Sequence, residues 1–217
     1  MFVFPPQTAF GKTIPKSRIY THAAPTRRVR ELFVSQLSEI IWANKLSPET
    51  LRLPATPSVS EIQVFDLHLK GESLDDDVLQ AIDRAIPYPV LHRLHSEKGV
   101  TWCAAYKRPS EADASQWVVG SRFRSSTESP SQACPPLPAA LDLGQLYAAL
   151  FAPLLPLPPR SGESLAHHIE RCEAFTRLRR QIDQLTARLH RERQFNRKVE
   201  LNRQIKPLQA ELEAVTH

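Results

Sequence analysis

The stretch RERQFNRKVELN, residues 191–202, decides the architecture of the C-terminal quarter of this chain of 217 residues. Apolar residues recur at intervals of three and four on both sides of it, which is the period of an amphipathic helix. The first series is Phe175, Leu178, Ile182, Leu185 and Leu189, and the second is Leu201, Ile205, Leu208, Leu212 and Val215. The two series are out of phase by two residues, so one straight helix cannot keep both on a single face. We therefore predict an antiparallel helical hairpin, a coiled coil, over residues 163–217, with a bend near Gln194 to Lys198.

Pro207 interrupts the second arm of this predicted hairpin. Proline lacks the amide that an internal helix position donates. It can therefore kink the arm, or it can begin a new helical segment at its first turn. The hairpin is predicted in either case.

The net charge of +5 is concentrated in the same segment. Residues 171–217 contain 11 Lys and Arg against 6 Asp and Glu, whereas the other residues hold 17 of each sign. The residues around the bend that combine charge with an aromatic ring are Arg188, Arg191, Arg193, Phe195, Arg197, Lys198, Arg203 and Lys206. Lys and Arg can contact phosphates, and a ring can stack on a base. The alternatives are a solvated coiled-coil face with Phe195 closing the hairpin core, or a surface for an acidic protein.

The pattern of residues 1–124 predicts an α+β body, a small sheet with flanking helices. TRRVRELFVSQLSEIIWANKL (26–46) has helical spacing throughout, with Thr26 as its cap. EIQVFDLHLK (61–70) alternates as a strand does, and SLDDDVLQAIDRAIP (73–87) predicts a second helix, capped by Ser73 or an aspartate. Residues 89–108 predict two strands joined by the turn SEKG, and residues 116–126 predict a third strand in the same meander.

Proline-rich connections separate this body from the hairpin. Residues 125–140, SSTESPSQACPPLPAA, cannot hold regular structure for long, and PLPPRSGE (156–163) is a second hinge. The apolar stretch between them predicts a short helix over residues 142–152. Within residues 125–162 we therefore expect stiff spacers around one helix, rather than a ligand for a proline-binding domain.

Candidate catalytic chemistry is sparse. Glu61, Asp66 and Lys70 suggest a metal-dependent nuclease, but that type of site wants an acid two positions before the lysine, where His68 stands. Asp66, His68 and Lys70 alternate onto one polar strand face, which is more simply explained as the solvated face of a half-buried sheet. The run Asp75 to Asp77 fits a helix start, where acids are favoured by the helix dipole. We find no phosphate-binding glycine loop, nucleophile elbow or metal-ligand set, and we expect no cofactor and no metal.

Composition indicates a folded protein, since 41% of the residues are apolar. We expect a cytoplasmic location without a membrane anchor, because the N-terminal residues lack a basic start followed by an apolar run and no window of about 18 residues is apolar throughout. Cys103, Cys134 and Cys172 are far apart, which favours reduced, structurally incidental thiols.

Several separate blocks, in order along nearly the whole chain, resemble an uncharacterised bacterial family, domain-of-unknown-function family 4391. These blocks are NKLSPETL (44–51), EIQVFDLHLK (61–70), AIDRAIPYPVL (81–91), CAAYK (103–107), LPLPPRSGESL (155–165) and RERQFNRKVELN (191–202). The family has no established catalytic or binding residues. The resemblance implies a genomic context beside DNA methyltransferases and helicases, in restriction-like clusters directed against phage.

From these observations we expect an accessory, non-catalytic subunit of a bacterial defence assembly. Its body would dock a helicase or a DNA methyltransferase, and its basic hairpin would contact DNA or that partner. The alternatives are a metal-dependent nuclease subunit and a purely structural coiled-coil adaptor whose tail pairs with another chain.

Overall fold

The computed structural model describes residues 2–110, 112, 117–129 and 134–216. The chain divides into two compact units, Met1–Leu154 and Leu155–His217, which we call the body and the hairpin unit. In the first predicted proline-rich connection, residues 125–140, residues 130–133 lie outside the described residues. The described residues of this connection form no helix and take part only in isolated bridges.

The body is built on a single six-stranded sheet whose strands lie in the order of the sequence. The strands are β1 (Ala9–Thr13), β2 (Leu37–Leu46), β3 (Ile62–Leu69), β4 (Val90–Ser96), β5 (Gly99–Pro109) and β6 (Trp117–Arg124). Strands β3 and β4 are parallel, and every other neighbouring pair is antiparallel. A parallel pair needs a crossover connection, and a helix between β3 and β4 provides it. The predicted mixed α and β fold and the strands predicted in residues 61–126 are confirmed.

Five helices accompany the sheet in the described part of the body. They are α1 (Lys16–Ala23), α2 (Arg27–Gln36), the short α3 (Pro48–Leu51), α4 (Asp76–Ala85) and α5 (Leu143–Phe151). Helix α4 is the predicted second helix, and the Asp75 carboxylate caps it by accepting from the amide of Asp77 at 2.9 Å. The aspartate run is thus a helix start. Helix α5 confirms the predicted short helix.

The predicted first helix is correct only in its first half. It begins after the Thr26 cap as expected but ends at Gln36, and residues 37–46 form strand β2. Apolar residues in this segment satisfy the helical period, but the run Ile40-Ile41-Trp42 is β-branched and aromatic, which favours a strand. Pairing with β1 on one side and β3 on the other decides the outcome. Strand β1 and helix α1, in the proline-containing lead-in, were not predicted.

The core of the body lies between one face of the sheet and helices α2 and α4. Phe33 and Leu37 are completely buried there, together with Leu67 of β3 and Leu79 and Ile82 of α4. On the opposite face, rings from β5 and β6 meet helix α5. That aromatic group consists of Tyr106, Phe123, Tyr147 and Phe151.

The hairpin unit consists of α6 (Leu165–Arg191) and α7 (Phe195–Thr216), which pack against each other in antiparallel directions. Leu178 and Ile182 of α6 and Ile205 of α7 are buried. The three residues between the helices, 192–194, form the bend, and its centre lies three positions before the centre of the predicted range. Helix α7 continues through Pro207, so no new helical segment begins at this residue.

Candidate nucleic-acid interface

The bend of the hairpin is held by the side chain of Glu192. Its carboxylate accepts hydrogen bonds from the amides of Arg193 at 2.8 Å and Gln194 at 2.9 Å. These backbone hydrogen bonds hold the pKa of Glu192 below its ordinary value. Because the carboxylate satisfies amides that no helix uses, it fixes the path of the chain from α6 into α7.

Phe195 is the first residue of α7, and 77% of its surface is exposed. It therefore does not close the hairpin core, which is the role that the alternative of a solvated coiled-coil face gives it. An exposed ring next to several cations is available to stack on a base or to pack against a partner.

Arginines from both helices gather on one side of the hairpin. A groove of about 420 Å³ near the bend is lined by Arg188 and Arg191 of α6 and by Arg197 of α7. A second groove of about 590 Å³ is lined by Arg188 and Arg203, with Leu185 and Leu208 among its apolar residues. Four of the eight predicted interface residues thus share one side of the unit.

The charges of this surface are only weakly compensated. Glu192 and Glu200 line the first groove and Glu211 the second. Within residues 2–110, 112, 117–129 and 134–216, the one ion pair found for a predicted interface residue joins Arg197 to Glu192 at 3.9 Å. At this separation, and with 71% of the Arg197 side chain exposed, the pair contributes little to stability. Arg193, Lys198 and Lys206 are also exposed.

The nuclease residues are not gathered into one site. Glu61 pairs with Lys45 at 2.8 Å, whereas the Nζ of Lys70 donates to the carbonyl of Val34 at 2.8 Å, near the end of α2. Asp66 lies in the middle of β3, whereas Glu61 precedes this strand and accepts a hydrogen bond from Gln63, whose side chain alternates to the opposite face from Asp66. In the described part of the chain, no group of three or more His, Cys, Asp or Glu residues could hold a metal ion.

Asp66 instead belongs to a polar cluster on its own sheet face. Its carboxylate accepts two hydrogen bonds from Arg93, and its Oδ1 lies 2.9 Å from Nε2 of His95. Burial alone would raise the pKa of Asp66, but the hydrogen bond with His95 and the charge of Arg93 outweigh it and hold this pKa below its ordinary value. The ring of His68 stacks on His95 at 4.7 Å. Alternation along β3 indicated this polar face, but the partners on β4 come from the sheet pairing.

A second charged cluster is buried beneath α4, and no sequence pattern indicated it. The Asp83 carboxylate lies 3.0 Å from Nε2 of His92 and accepts from Arg122 at 2.7 Å. The Nζ of Lys107 donates to the carbonyls of Asp83, at 2.7 Å, and Ile86. Burial lowers the pKa of Lys107 to about 8 and also lowers the pKa of His92, although the negative charge of Asp83 opposes both shifts. The cluster ties α4 to β4, β5 and β6.

These observations define a protein with a mixed α/β body and a basic helical hairpin. The chain belongs to a family described as a domain of unknown function, DUF4391, whose model matches residues 2–212. No curated protein and no solved structure matches the chain. Among the helices in the described residues, none combines the length and the hydrophobicity that crossing a membrane requires.

Proposed function

We propose that this protein is an accessory, non-catalytic subunit of a bacterial restriction-like defence system directed against phage. In this proposal the body docks a helicase or a DNA methyltransferase from the same gene cluster. The hairpin tip, by which we mean residues 188–206 around the bend, contacts DNA. The observation that carries the DNA contact is the exposed Phe195 beside arginines that have few acidic partners.

The mode of contact follows from the chemistry of the tip. Guanidinium groups on two helices can each neutralise a backbone phosphate and release its counterions, which makes the affinity depend on salt but not on base sequence. Phe195 supplies an apolar surface for a base where the duplex opens. We therefore expect non-specific binding that orients a partner enzyme on its substrate.

The test compares two variants that lose the same charge from the same unit. The tip variant carries Arg191→Gln, Arg193→Gln and Arg197→Gln, and the control carries Arg177→Gln, Arg179→Gln and Arg180→Gln on the exposed surface of α6. Binding to a fluorescent duplex of about 30 base pairs is measured by anisotropy at salt concentrations from about 50 to 200 mM. We expect the tip variant alone to lose about tenfold in affinity, with a salt slope smaller by about three. Equal affinities for the wild-type protein and both variants would contradict the DNA contact.

The docking half of the proposal needs a separate experiment. The intact protein is recovered from cells that carry its neighbouring genes, with and without nuclease treatment of the lysate. A helicase or methyltransferase that remains bound after treatment supports a direct subunit contact, whereas loss of the enzyme on treatment shows that DNA alone joined them. Recovery of the protein without either enzyme contradicts this half of the proposal.

A structural adaptor whose tail pairs with another chain is the second candidate. The packing of α6 against α7 within one chain argues against it, because Leu178, Ile182 and Ile205 are already buried in the single chain. Light scattering on the full chain distinguishes a hairpin within one chain from a tail that pairs with another chain. A monomer supports the intramolecular hairpin, and a concentration-dependent dimer supports the adaptor.

A further inference from the structure

The first thirty residues form a second basic region, which lies in the body. The first acidic residue of the chain is Glu31, and six lysines and arginines precede it. They are Lys12, Lys16, Arg18, Arg27, Arg28 and Arg30. In the structure they lie on β1, on α1 and in the first turn of α2, which we call the α1–α2 arm, residues 12–30.

Lys16 alone among these six cations belongs to a residue that is not fully exposed. The Nζ of Lys16 donates to the carbonyl of Leu37, and burial lowers the pKa of Lys16. This lysine therefore satisfies a carbonyl just after the end of α2. The other five side chains belong to exposed residues.

Two exposed cations of the arm are held in place without a carboxylate. The Arg30 guanidinium lies 5.4 Å from the ring centroid of Tyr20 and donates to the carbonyl of Pro25 at 3.2 Å. The Nζ of Lys12 lies 4.6 Å from the ring centroid of Phe10. Cations that are already ordered over a ring lose less side-chain entropy when they bind an anion.

The ion pairs of the arm are exposed to solvent, so another anion can replace their carboxylates. Arg27 pairs with Glu31 one turn later at 2.9 Å, and 94% of the Arg27 side chain is exposed. Arg28 pairs with Asp77, and both side chains are more than two-fifths exposed. Exposed pairs contribute little to stability, so a phosphate can replace the carboxylate at small cost.

A cavity of about 340 Å³ opens between the α1–α2 turn and helix α4. Arg28 and Arg84 both line it, with Thr26 at the start of α2 and Asp77 on the opposite wall. Among the described residues Arg84 is exposed and makes no ion pair. The cavity thus presents a free guanidinium beside one that is only weakly paired.

The arm is charged without being apolar at its surface. The large hydrophobic residues that the structure exposes are Val3, Val34, Val118, Leu141, Phe195 and Val199, and none of them lies in residues 12–30. Protein interfaces combine a polar rim with an apolar or aromatic centre. A surface of cations with no such centre fits a phosphate backbone better than it fits an acidic protein.

We propose that the α1–α2 arm, together with Arg84 of the neighbouring helix α4, is a second nucleic-acid-binding surface. On it Arg18, Arg27, Arg28, Arg30 and Arg84 contact backbone phosphates. This inference rests on the proposed DNA contact of the hairpin tip but concerns a different unit of the protein. Nucleic acid held by both units would bind more tightly than nucleic acid held by either alone.

The arm variant carries Arg18→Gln, Arg27→Gln and Arg84→Gln, three exposed positions that hold no other part of the fold. It loses the same charge as the tip variant and the α6 control variant. Circular dichroism and urea unfolding confirm that each variant is folded. The arm variant is expected to lose about tenfold in affinity for the same duplex and to show a salt slope smaller by about three, as the α6 control does not.

The outcomes separate the two proposals. If the tip variant loses affinity and the arm variant binds like the wild-type protein, the arm proposal is overturned and the hairpin contact stands. If only the arm variant loses affinity, the arm proposal stands and the hairpin contact fails. Unchanged DNA affinity of the arm variant, with weakened binding of poly-glutamate, would overturn nucleic acid as the ligand and assign the arm to an acidic protein.

Discussion

Asp83 and His92 share a hydrogen bond of 3.0 Å in the interior of the body, and neither side chain has any exposed surface. The same carboxylate accepts from Arg122, and the backbone carbonyl of Asp83 accepts from Lys107. One aspartate on α4 thus compensates the buried Lys107 of β5 and the partly buried Arg122 of β6. Burial alone would raise the pKa of Asp83, but His92 and the positive charge of Arg122 hold it below its ordinary value.

Replacing Asp83 with asparagine tests this compensation. The substitution leaves the buried Lys107 and the partly buried Arg122 without a counter-charge, so we expect the free energy of unfolding to fall by about 3–5 kcal/mol. Urea denaturation near neutral pH measures it. Asp76→Asn is the matched control, because Asp76 pairs with the same Arg122 but its side chain is 72% exposed. The control should change stability by less than about 1 kcal/mol; equal effects of the two substitutions would refute the role assigned to Asp83.

A glycine at the start of β5 is required by its surroundings. Gly99 has a φ of +134°, and a Cβ atom there would lie 2.2 Å from the carbonyl oxygen of Glu128. We expect Gly99→Ala to destabilise the body by about 1–3 kcal/mol, since both the backbone at this position and the segment around Glu128 must shift. Gly71→Ala is the control, because nothing lies within 4 Å of a Cβ at that position. Thermal unfolding of the two variants should differ clearly; similar midpoints would show that the turn relaxes.

Pro207 weakens the hairpin in which it lies. It cannot donate to the carbonyl of Arg203, one turn earlier in α7. Pro207→Ala restores that hydrogen bond, so we expect it to raise the free energy of unfolding by up to about 3 kcal/mol. Gln209→Ala, an exposed change in the same helix, controls for general helix propensity. A destabilised P207A variant would mean that the proline ring makes a contact that the helix needs.

Glu163 links the start of α6 to its second turn. Its carboxylate accepts from Arg171 at 2.7 and 2.8 Å and from the amide of Arg160 at 2.9 Å, and the hydrogen bonds of Arg171 lower the pKa of Glu163 to about 2. A lowered pKa in the folded state gives stability that is complete above the unfolded value, about 4.3, and is lost as the pH falls towards the folded value.

The stability difference between the wild-type protein and a Glu163→Gln variant should therefore be constant above about pH 5 and shrink as the pH falls below about 4.3. Urea denaturation over this range measures it. Glu213→Gln, an exposed change in α7, is the control and should show no such dependence. A pH-independent difference for Glu163→Gln would refute the assigned cause.

Phe195 should matter for binding but not for folding. With 77% of its surface exposed, Phe195→Ala removes little buried area, and we expect the unfolding midpoint to stay the same. Affinity for single-stranded DNA should fall by about 1–3 kcal/mol, the contribution of one stacked base. Phe195→Trp retains a stacking ring and should keep the affinity. If Phe195→Ala lowers the unfolding midpoint but leaves the affinity for single-stranded DNA unchanged, the role of Phe195 is structural.

The candidate sites were predictable to very different degrees. The eight residues of the hairpin tip could be named because charge and an aromatic ring are concentrated in one short stretch. The cluster around Asp83 could not, because its members lie on α4, β4, β5 and β6 and meet only after the sheet has formed. The same holds for Asp66, whose partners Arg93 and His95 are supplied by parallel pairing with β4.

The amino-acid sequence by itself determined the hairpin, helix α4 and the strands from β3 to β6, because each has a hydrophobic period that is readable within a few turns or a few alternations. Only the tertiary structure decided the secondary structure of residues 37–46, whose apolar residues fit a helix as well as a strand. These residues become β2 because β1 and β3 offer backbone hydrogen bonds on both sides. Local periodicity indicates which side of a helix or strand is buried. The pairing of strands and the compensation of buried charges depend instead on residues that are distant along the chain.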